Sequence, residues 1–481
     1  MDIEGVFFSS FALSEDSSMV SSDSYFPDTF PDNLFNHDSL LITSHDDGLV
    51  KILRSDIDDI CDWLYAGHSE DGTCSSAVWA ADEWSPSPSL ESNQIAHVLT
   101  EVAIDLPRKD AKLENELTLT HLLRAFGEAM NDGNNGSLAK VIVESINEKS
   151  SPQGNLIERV AYNMFKSKDG EYLRQESVKN FATALNVLYR SLICGRFAHN
   201  AANAAILESI PEDVTVLHIV DFEIGEGIQW PALMEALSRK QKPVVRLTAI
   251  KREGEDAFEE TKKRLHDHAR QCGLELHIEE KCIQEFAAEM RRRKRKRENG
   301  GGRDWLVFNA MVALPHMGRR RRRSGVVEFL KVAEGLLAKY EGILSLGDGE
   351  AGVKWGNCVS YESYFGELVE HYQALFESLE CNLPVYLGEA RTAMECLFLA
   401  PLMCPFAWFE EWEEKVKGVE FESVLEGRRA SEESLAEAKL MVDERENWYS
   451  VRIEGLRENE MVLRWKETML VRVSIFCSRL L

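Results

Sequence analysis

One short run of this chain has the residue types and spacing of a cofactor turn. In "VLHIVDFEIGEGIQWPALMEAL", residues 216–237, an apolar stretch ends in Asp221, Gly225 and Gly227 follow, and a helical pattern begins at Trp230. Glycines in such a turn let the backbone approach a ligand, and a helix N-terminus behind it attracts an anionic group. The details argue against a working site. A methyltransferase-type turn places its first glycine where this chain has Glu223, a position hindered by any Cβ and more so by a carboxylate. Glu226 adds a second acid between the remaining glycines, facing the place a pyrophosphate would take. The next apolar run ends in Ile250 and Lys251, where a ribose-binding fold carries Asp or Glu.

Other candidate chemistries are weaker. His218 and Asp221 are three apart on a strand, so they point to opposite faces and cannot form a simple adjacent catalytic pair; His218 is read as a packing residue. Gly347, Gly349 and Gly352 match G-x-G-x-x-G, but Asp348 and Glu350 occupy the loop and no Lys-Ser/Thr follows. That stretch is expected to be a flexible connection. There is no G-x-S-x-G elbow and no H-E-x-x-H helix. The ten cysteines include no C-x-x-C pair, so reduced packing cysteines are expected, with no metal and no cofactor.

Two basic tracts remain, Arg291-Arg292-Arg293-Lys294-Arg295-Lys296-Arg297 and the arginines at 319–323. Residues 291–323 hold 13 Lys/Arg against two Asp/Glu in a chain of net charge −26. Such runs stay solvated and are read by import receptors or attract phosphate backbones, which marks 291–297 as a nuclear-import candidate. No zinc-finger, basic-zipper or homeodomain pattern accompanies them, and phosphate attraction alone carries no sequence information.

The elements that must position these residues are legible from periodicity. Helical patterns are expected from Glu114, with Thr118 or Thr120 as caps, and at about 135–149, 154–167, 176–193 and 196–209. In the first of them Leu119, Leu122, Leu123 and Phe126 form a stripe that suits either a core or a partner helix. Beyond Pro211, short apolar runs at 215–221, 244–250, 274–279, 305–310 and 342–347 alternate with helices, which predicts a doubly wound, mostly parallel sheet. "WYSVRIEGLRENEMVLRW" predicts a C-terminal antiparallel hairpin, giving a methyltransferase-like α/β fold under an N-terminal helical cap.

Composition bounds the rest. Residues 1–100 carry 19 Asp/Glu against two Lys/Arg, and 1–113 read as a disordered acidic region, with "DIDDICDWLY" mixing aromatics and acids as partner-folding segments do. The N-terminus shows no secretory pattern, and no apolar run reaches the roughly 20 residues of a membrane helix.

Leu217, His218, Ile219, Val220 and Asp221, with Gln229, Trp230 and Pro231 downstream, resemble the V-H-I-I-D motif of the plant GRAS family. The resemblance spans about 114–481, with 114–212 as the helical cap and 213–481 as the α/β core. It includes leucine-rich regions at 116–210 and about 260–345. "YESYFGELVEHYQALFESLE" stands at the place of the P-F-Y-R-E region, with Arg391 and Glu395 for its Arg-Glu part, and Trp448 and Trp465 stand in the S-A-W region. The Pro-Phe-Tyr portion and the terminal Ser-x-Trp are missing. Within the family, "VDFEIGEGIQWP", "LVFNAMVALPHMG" and "EARTAMECLFLAP" look most like the nodulation-signalling branch. The resemblance implies a non-enzymatic nuclear transcriptional regulator in symbiosis and strigolactone-related signalling. It would pair with another GRAS protein or a second copy of itself, and reach DNA mainly through partners. The alternatives are a small-molecule or residual S-adenosylmethionine site and autonomous sequence-specific DNA binding. Residue by residue, Pro231 suits the first turn of a helix, Gln229 can satisfy nearby backbone groups, and Trp230 can fill the sheet-helix interface.

Overall fold

A computed structural model describes residues 108–131, 136–165, 181–240, 242–251, 258–296, 303–317, 323–350, 358–416, 425–442 and 448–478. The expectations for the acidic region up to residue 107, and those for Arg297, Gly352 and 319–322, lie outside these residues.

The chain opens in helices: α1 (Arg108–Asn131), α2 (Gly136–Lys149), α3 (Leu156–Phe165), α4 (Phe181–Ser191) and α5 (Cys194–Ser209). Helix α1 begins six residues before the predicted start at Glu114. Thr118 and Thr120 are not caps but lie inside α1, their hydroxyls donating to the carbonyls of Glu114 (2.7 Å) and Glu116 (2.9 Å). Threonine tolerates that position by bonding back one turn, so its presence did not mark a helix start.

Alternating elements follow: β1 (Val214–Asp221), α6 (Trp230–Lys240), β2 (Val244–Ile250), α7 (Phe258–Gln271), β3 (Leu276–Lys281), α8 (Ile283–Lys296), β4 (Arg303–Val312), α9 (Arg323–Leu337) and β5 (Gly342–Asp348). After α10 (Tyr361–Cys381), α11 (Gly388–Met394) and α12 (Pro405–Val416) come the two-residue β6 (Glu426–Gly427), α13 (Glu432–Val442), β7 (Tyr449–Glu454), β8 (Glu460–Trp465) and β9 (Thr468–Cys477). The strands form one nine-stranded sheet in the order β3-β2-β1-β4-β5-β9-β8-β7, with β6 beside β9. β1 to β5 run parallel to one another, while β9 runs antiparallel to β5 and β8 antiparallel to β9. The predicted sheet and terminal hairpin are both present, and the last strand inserts between β5 and the hairpin.

The sheet is covered on both faces, which is why the central strands read as continuous apolar runs. Successive residues of β4 alternate between two cores. Trp305 and Val307 join Leu217 and Ile219 in the core shared with the cap, while Leu306 and Phe308 join Val220 in the core under α8 and α9. On the cap side Leu119, Leu123 and Phe126 are buried, and Phe126 meets Phe165, Phe365 and Phe406 at ring-centroid distances of 4.8, 5.3 and 5.7 Å. Leu122 is partly buried and packs on the same core. The stripe proposed for a partner helix therefore serves the interior instead; burying several leucines and a phenylalanine stabilises at about 1.5–3 kcal/mol per side chain.

One apolar helical stretch was not anticipated. Residues 388–413 are long and apolar enough to cross a membrane by length and composition, but 67% of the apolar window is buried inside the fold. Glu389, Arg391 and Glu395 hid it in the sequence, and it is broken by a π-turn at Glu395–Leu399 and a 3₁₀ turn at Ala400–Leu402.

Candidate functional site

The motif residues meet at the carboxyl end of β1. Parallel pairing sets Asp221 level with Asn309 of β4, and this register carries a polar pair into an otherwise apolar layer. Asp221 is 2% exposed. Its Oδ2 accepts from the Trp230 indole N–H at 2.8 Å, and its Oδ1 accepts from Asn309 Nδ2 at 3.3 Å and the Glu223 amide at 3.2 Å. Burial pushes its carboxyl up to about 6, and the charge of Glu223 adds to the rise, while the three donated hydrogen bonds pull the other way. Gln229 extends the cluster. Its Nε2 donates to the side-chain oxygens of Asn203 and Asn309, both at 3.2 Å, and its Oε1 accepts from Asn309 Nδ2 at 3.0 Å. The expected backbone role of the Gln229 side chain is thus replaced by side-chain amides; Asn203 Nδ2 instead donates to the Gln229 carbonyl at 2.9 Å. Pro231 occupies the first turn of α6 and Trp230 is buried between helix and sheet, as their types suggested.

The glycine turn is closed by the chain itself. Gly225 and Gly227 have φ of 52° and 76°, in the left-handed region that favours glycine. A Cβ on Gly225 would lie 3.2 Å from Met317 Cε, and one on Gly227 would lie 3.0 Å from Thr261 Cγ2 and 3.2 Å from Leu265 Cδ1. Side chains of the turn after β4 and of α7 therefore pack against these two glycines. Glu226, the acid that argued against phosphate, accepts from Arg264 Nη2 at 2.6 Å, while Thr261 Oγ1 donates to the Gly225 carbonyl at 3.3 Å. β2 ends in Ile250, and the Lys251 amide donates onward to the Lys281 carbonyl at 2.9 Å.

His316, in the 3₁₀ turn Pro315–Met317, lies beside this cluster. Its ring meets His199 edge-on at 4.7 Å and Tyr189 at 5.6 Å, and neither ring nitrogen has a hydrogen-bond partner among the described residues. Burial lowers it to about 4, against a small opposing effect of Glu223. His199, bonded through Nδ1 to the Tyr189 hydroxyl at 2.8 Å, is also held well below its ordinary value by burial and by His316. His218 is elsewhere: buried on β1, its Nε2 lies 3.7 Å from Asp304. Leu217, Ile219 and Val220 are core residues.

The second glycine run also differs from expectation. Asp348, Gly349 and Glu350 are packed rather than flexible. A Cβ on Gly349 would meet the Ala313 carbonyl at 2.1 Å, Asp348 Oδ1 accepts from the Glu350 amide at 2.9 Å, and Glu350 accepts from the Tyr372 hydroxyl.

A separate ionic cluster ties cap to core. Arg159 of α3 is 2% exposed and donates through Nε to Glu395 Oε1 at 3.1 Å and through Nη2 to Glu380 Oε2 at 2.8 Å. Arg391 Nη1 reaches Glu380 Oε1 at 2.7 Å, and its Nε lies 3.5 Å from Glu395 Oε1. Burial raises Glu395 to about 7 despite both arginines. Arg391 and Glu395 are the residues that stand for the Arg-Glu part of the family motif; Arg159, 236 residues before Glu395, and Glu380 carry no such mark in the sequence. The lone asparagine of "WLVFNA" was the available signal for Asn309.

Surface candidates divide. Arg291 and Arg292 are exposed at the end of α8, and Arg293 is half-buried and pairs with Glu289 at 2.6 Å; Lys294, Arg295 and Lys296 continue the helix. On the cap Leu113 and Leu117 are 57% and 52% exposed, one turn apart on α1, and Leu138 and Val141 are 49% and 56% exposed on α2. Trp465 is buried and donates to Glu377 Oε2 at 2.8 Å, whereas Trp448 is 66% exposed beneath Lys466 Nζ, 5.5 Å from the ring.

Comparisons agree with this architecture. The GRAS domain family model matches residues 119–476. The protein NODULATION SIGNALING PATHWAY 2 of Lotus japonicus is 30% identical over 400 residues, covering 75% of this chain and 76% of that one. The protein of the same name from Medicago truncatula is 29% identical over 401 residues, with the same shares covered. Among solved structures, SCL7 of Oryza sativa superposes with a TM-score of 0.51 at 21% identity, over 74% of this chain and 99% of that one.

Proposed function

We propose, from the premise that the chain belongs to the GRAS domain family, that it is a non-enzymatic transcriptional regulator of the nucleus, working in nodulation signalling and strigolactone-related gene control. The observation that carries the non-enzymatic part is the closed turn. Met317, Thr261 and Leu265 pack against Gly225 and Gly227, and Asp221 is hydrogen-bonded to Trp230, Asn309 and the Glu223 amide. The likeness to two proteins named for nodulation signalling supports the biological setting.

In this reading the protein acts through a second GRAS protein, or a second copy of itself, and DNA is reached mainly through that partner. The helical cap is the docking element. Its partner residues are Leu113, Leu117, Leu138 and Val141, which face solvent, in place of the buried stripe at Leu119, Leu123 and Phe126. Arg291, Arg292 and Arg293, with Lys294 to Arg297, serve nuclear import.

A pull-down with the full-length protein against a second, purified GRAS protein tests the partner claim. Retention by the wild type and loss in a Leu117→Asp, Val141→Asp variant of unchanged thermal stability is the expected result; equal retention by both defeats the cap assignment. Gel shifts of the purified protein alone separate this from autonomous DNA reading, which requires sequence preference without a partner. A reporter fusion with 291–297 neutralised is expected to lose nuclear accumulation.

A further inference from the structure

The chain between β6 and α13 reads Arg428-Arg429-Ala430-Ser431. Arginines two and three positions before a serine form the pattern bound by arginine-directed protein kinases, whose acidic peptide grooves pair with forked guanidinium groups. The placement suits such a substrate. Residues 428–431 lie outside helix and strand, Arg429 is exposed, and Ser431 is half-buried. Main-chain hydrogen bonds from Arg428 to the Ile475 carbonyl (3.0 Å) and from Ala430 to the Glu458 carbonyl (2.8 Å) hold the segment beside the C-terminal end of β9 and the turn between β7 and β8. It lines a surface groove together with Ala201, Ala205 and Glu208 of α5 and Asn459.

What Ser431 touches gives its modification a consequence. Its Oγ donates to Glu208 Oε1 at 2.7 Å and accepts from the Ser434 amide at 2.9 Å, and the Ser434 hydroxyl donates to the same carboxylate oxygen. Arg428 Nη2 donates to the Glu208 carbonyl at 3.1 Å. Glu208 thus lies near the C-terminal end of its own helix, where the dipole disfavours an acid, and is held there by the first turn of α13. That turn already carries Glu432 and Glu433. Helix α13 packs in turn on α5 and on the edge strand β7.

We propose that Ser431 is a phosphorylation site for an arginine-directed serine kinase, and that the phosphate expels the Glu208 carboxylate and loosens α13 from α5. In the transfer, Ser431 Oγ bonds to the terminal phosphorus of a nucleoside triphosphate as the bridging β–γ P–O bond breaks. The hydroxyl proton passes to the kinase's base, and the nucleoside diphosphate leaves. The product has lost the hydroxyl donor that held Glu208 and has gained close to two negative charges within hydrogen-bond reach of a carboxylate, so attraction becomes repulsion.

Full-length protein incubated with the catalytic subunit of cyclic-AMP-dependent kinase and ATP, then mapped by mass spectrometry and hydrogen exchange, tests both halves. Phosphate is expected at Ser431 in the wild type, absent from that peptide in Ser431→Ala, and incorporated at least about tenfold more slowly when Arg428 and Arg429 are both alanine. A Ser431 that stays unmodified in the folded protein, while a synthetic 425–436 peptide is phosphorylated, overturns the site. Amides of α13 are expected to exchange about tenfold faster after phosphorylation in the wild type, and to show no such increase in Glu208→Gln. Unchanged exchange in the phosphorylated wild type, or equal loosening in both proteins, overturns the role of Glu208.

Discussion

Two buried polar clusters hold this fold, and they differ in kind. The one at the end of β1 has a single carboxylate, Asp221, surrounded by neutral donors on Trp230 and Asn309 and a backbone amide. Most of its members lie within a few residues of the motif or directly across one strand pair. The other is built from four ionisable side chains, Arg159, Arg391, Glu380 and Glu395, drawn from the cap, α10 and the segment around the π-turn. The first cluster shapes a turn, and the second fastens one layer to another. The enzyme-like residues are therefore bonded locally, while the charges that link the cap to the later helices lie in a region that resembles no active site.

Between the two clusters, breaking the ionic one has the larger expected effect. Arg159→Ala leaves Glu395 buried without its nearest cation and is expected to destabilise by about 3–5 kcal/mol in urea unfolding. Arg159→Met combined with Glu395→Leu is expected to recover much of that loss, because the desolvation cost disappears with the charges. A loss in the double variant as large as in the single one would show that packing, and not charge, fixes the cap.

The histidines beside the first cluster come next. His316 has a folded value of about 4, below its ordinary 6.5, so the unfolded chain binds the extra proton first as pH falls. Its contribution is intact above pH 6.5 and is lost as pH falls from 6.5 toward 4, about 3 kcal/mol by the shift. Melting temperatures followed over that window are expected to fall less steeply in His316→Phe than in the wild type. Asp221 carries the opposite sign. Its carboxyl is raised from 3.8 to about 6, so its contribution is greatest below 3.8 and declines as pH rises through 6.

Trp230→Phe removes one donor from Asp221 and is expected to cost about 1–3 kcal/mol, with a further rise of the Asp221 carboxyl visible by NMR titration. Smallest of all, Leu113→Asp or Leu117→Asp on the exposed face of α1 is expected to change stability by no more than about 0.5 kcal/mol while weakening partner capture. Buried Leu123→Asp should unfold the cap outright, and circular dichroism distinguishes the two.

The contrast between the clusters also separates what the sequence revealed from what it hid. The central parallel strands were legible because burial on both faces leaves nearly continuous apolar runs, the outer ones from alternation and turn residues, and strand 244–250 was placed to the residue. The reading of the glycine turn as scaffold rested on Glu223, Glu226 and Ile250, whereas the packing of Met317, Thr261 and Leu265 against its glycines comes from other elements and was not legible. Periodicity found the stripe at Leu119, Leu123 and Phe126 but could not say which side of α1 faces solvent, since Leu113 and Leu117 are leucines as well. The Arg159 pairs were invisible because Arg159 and Glu395 are 236 residues apart, and nothing local marks either as buried. Rigidity at Asp348 to Glu350 was missed for the same reason, being imposed by Ala313 and Tyr372 from other elements.

The central claim, that the glycine turn after β1 is scaffold and not a ligand site, is tested most directly by calorimetric titration of S-adenosylmethionine into the full chain. Absence of binding heat at millimolar ligand, in wild type and Asp221→Ala alike, is the expected result. Saturable binding by the wild type that Asp221→Ala abolishes would contradict it.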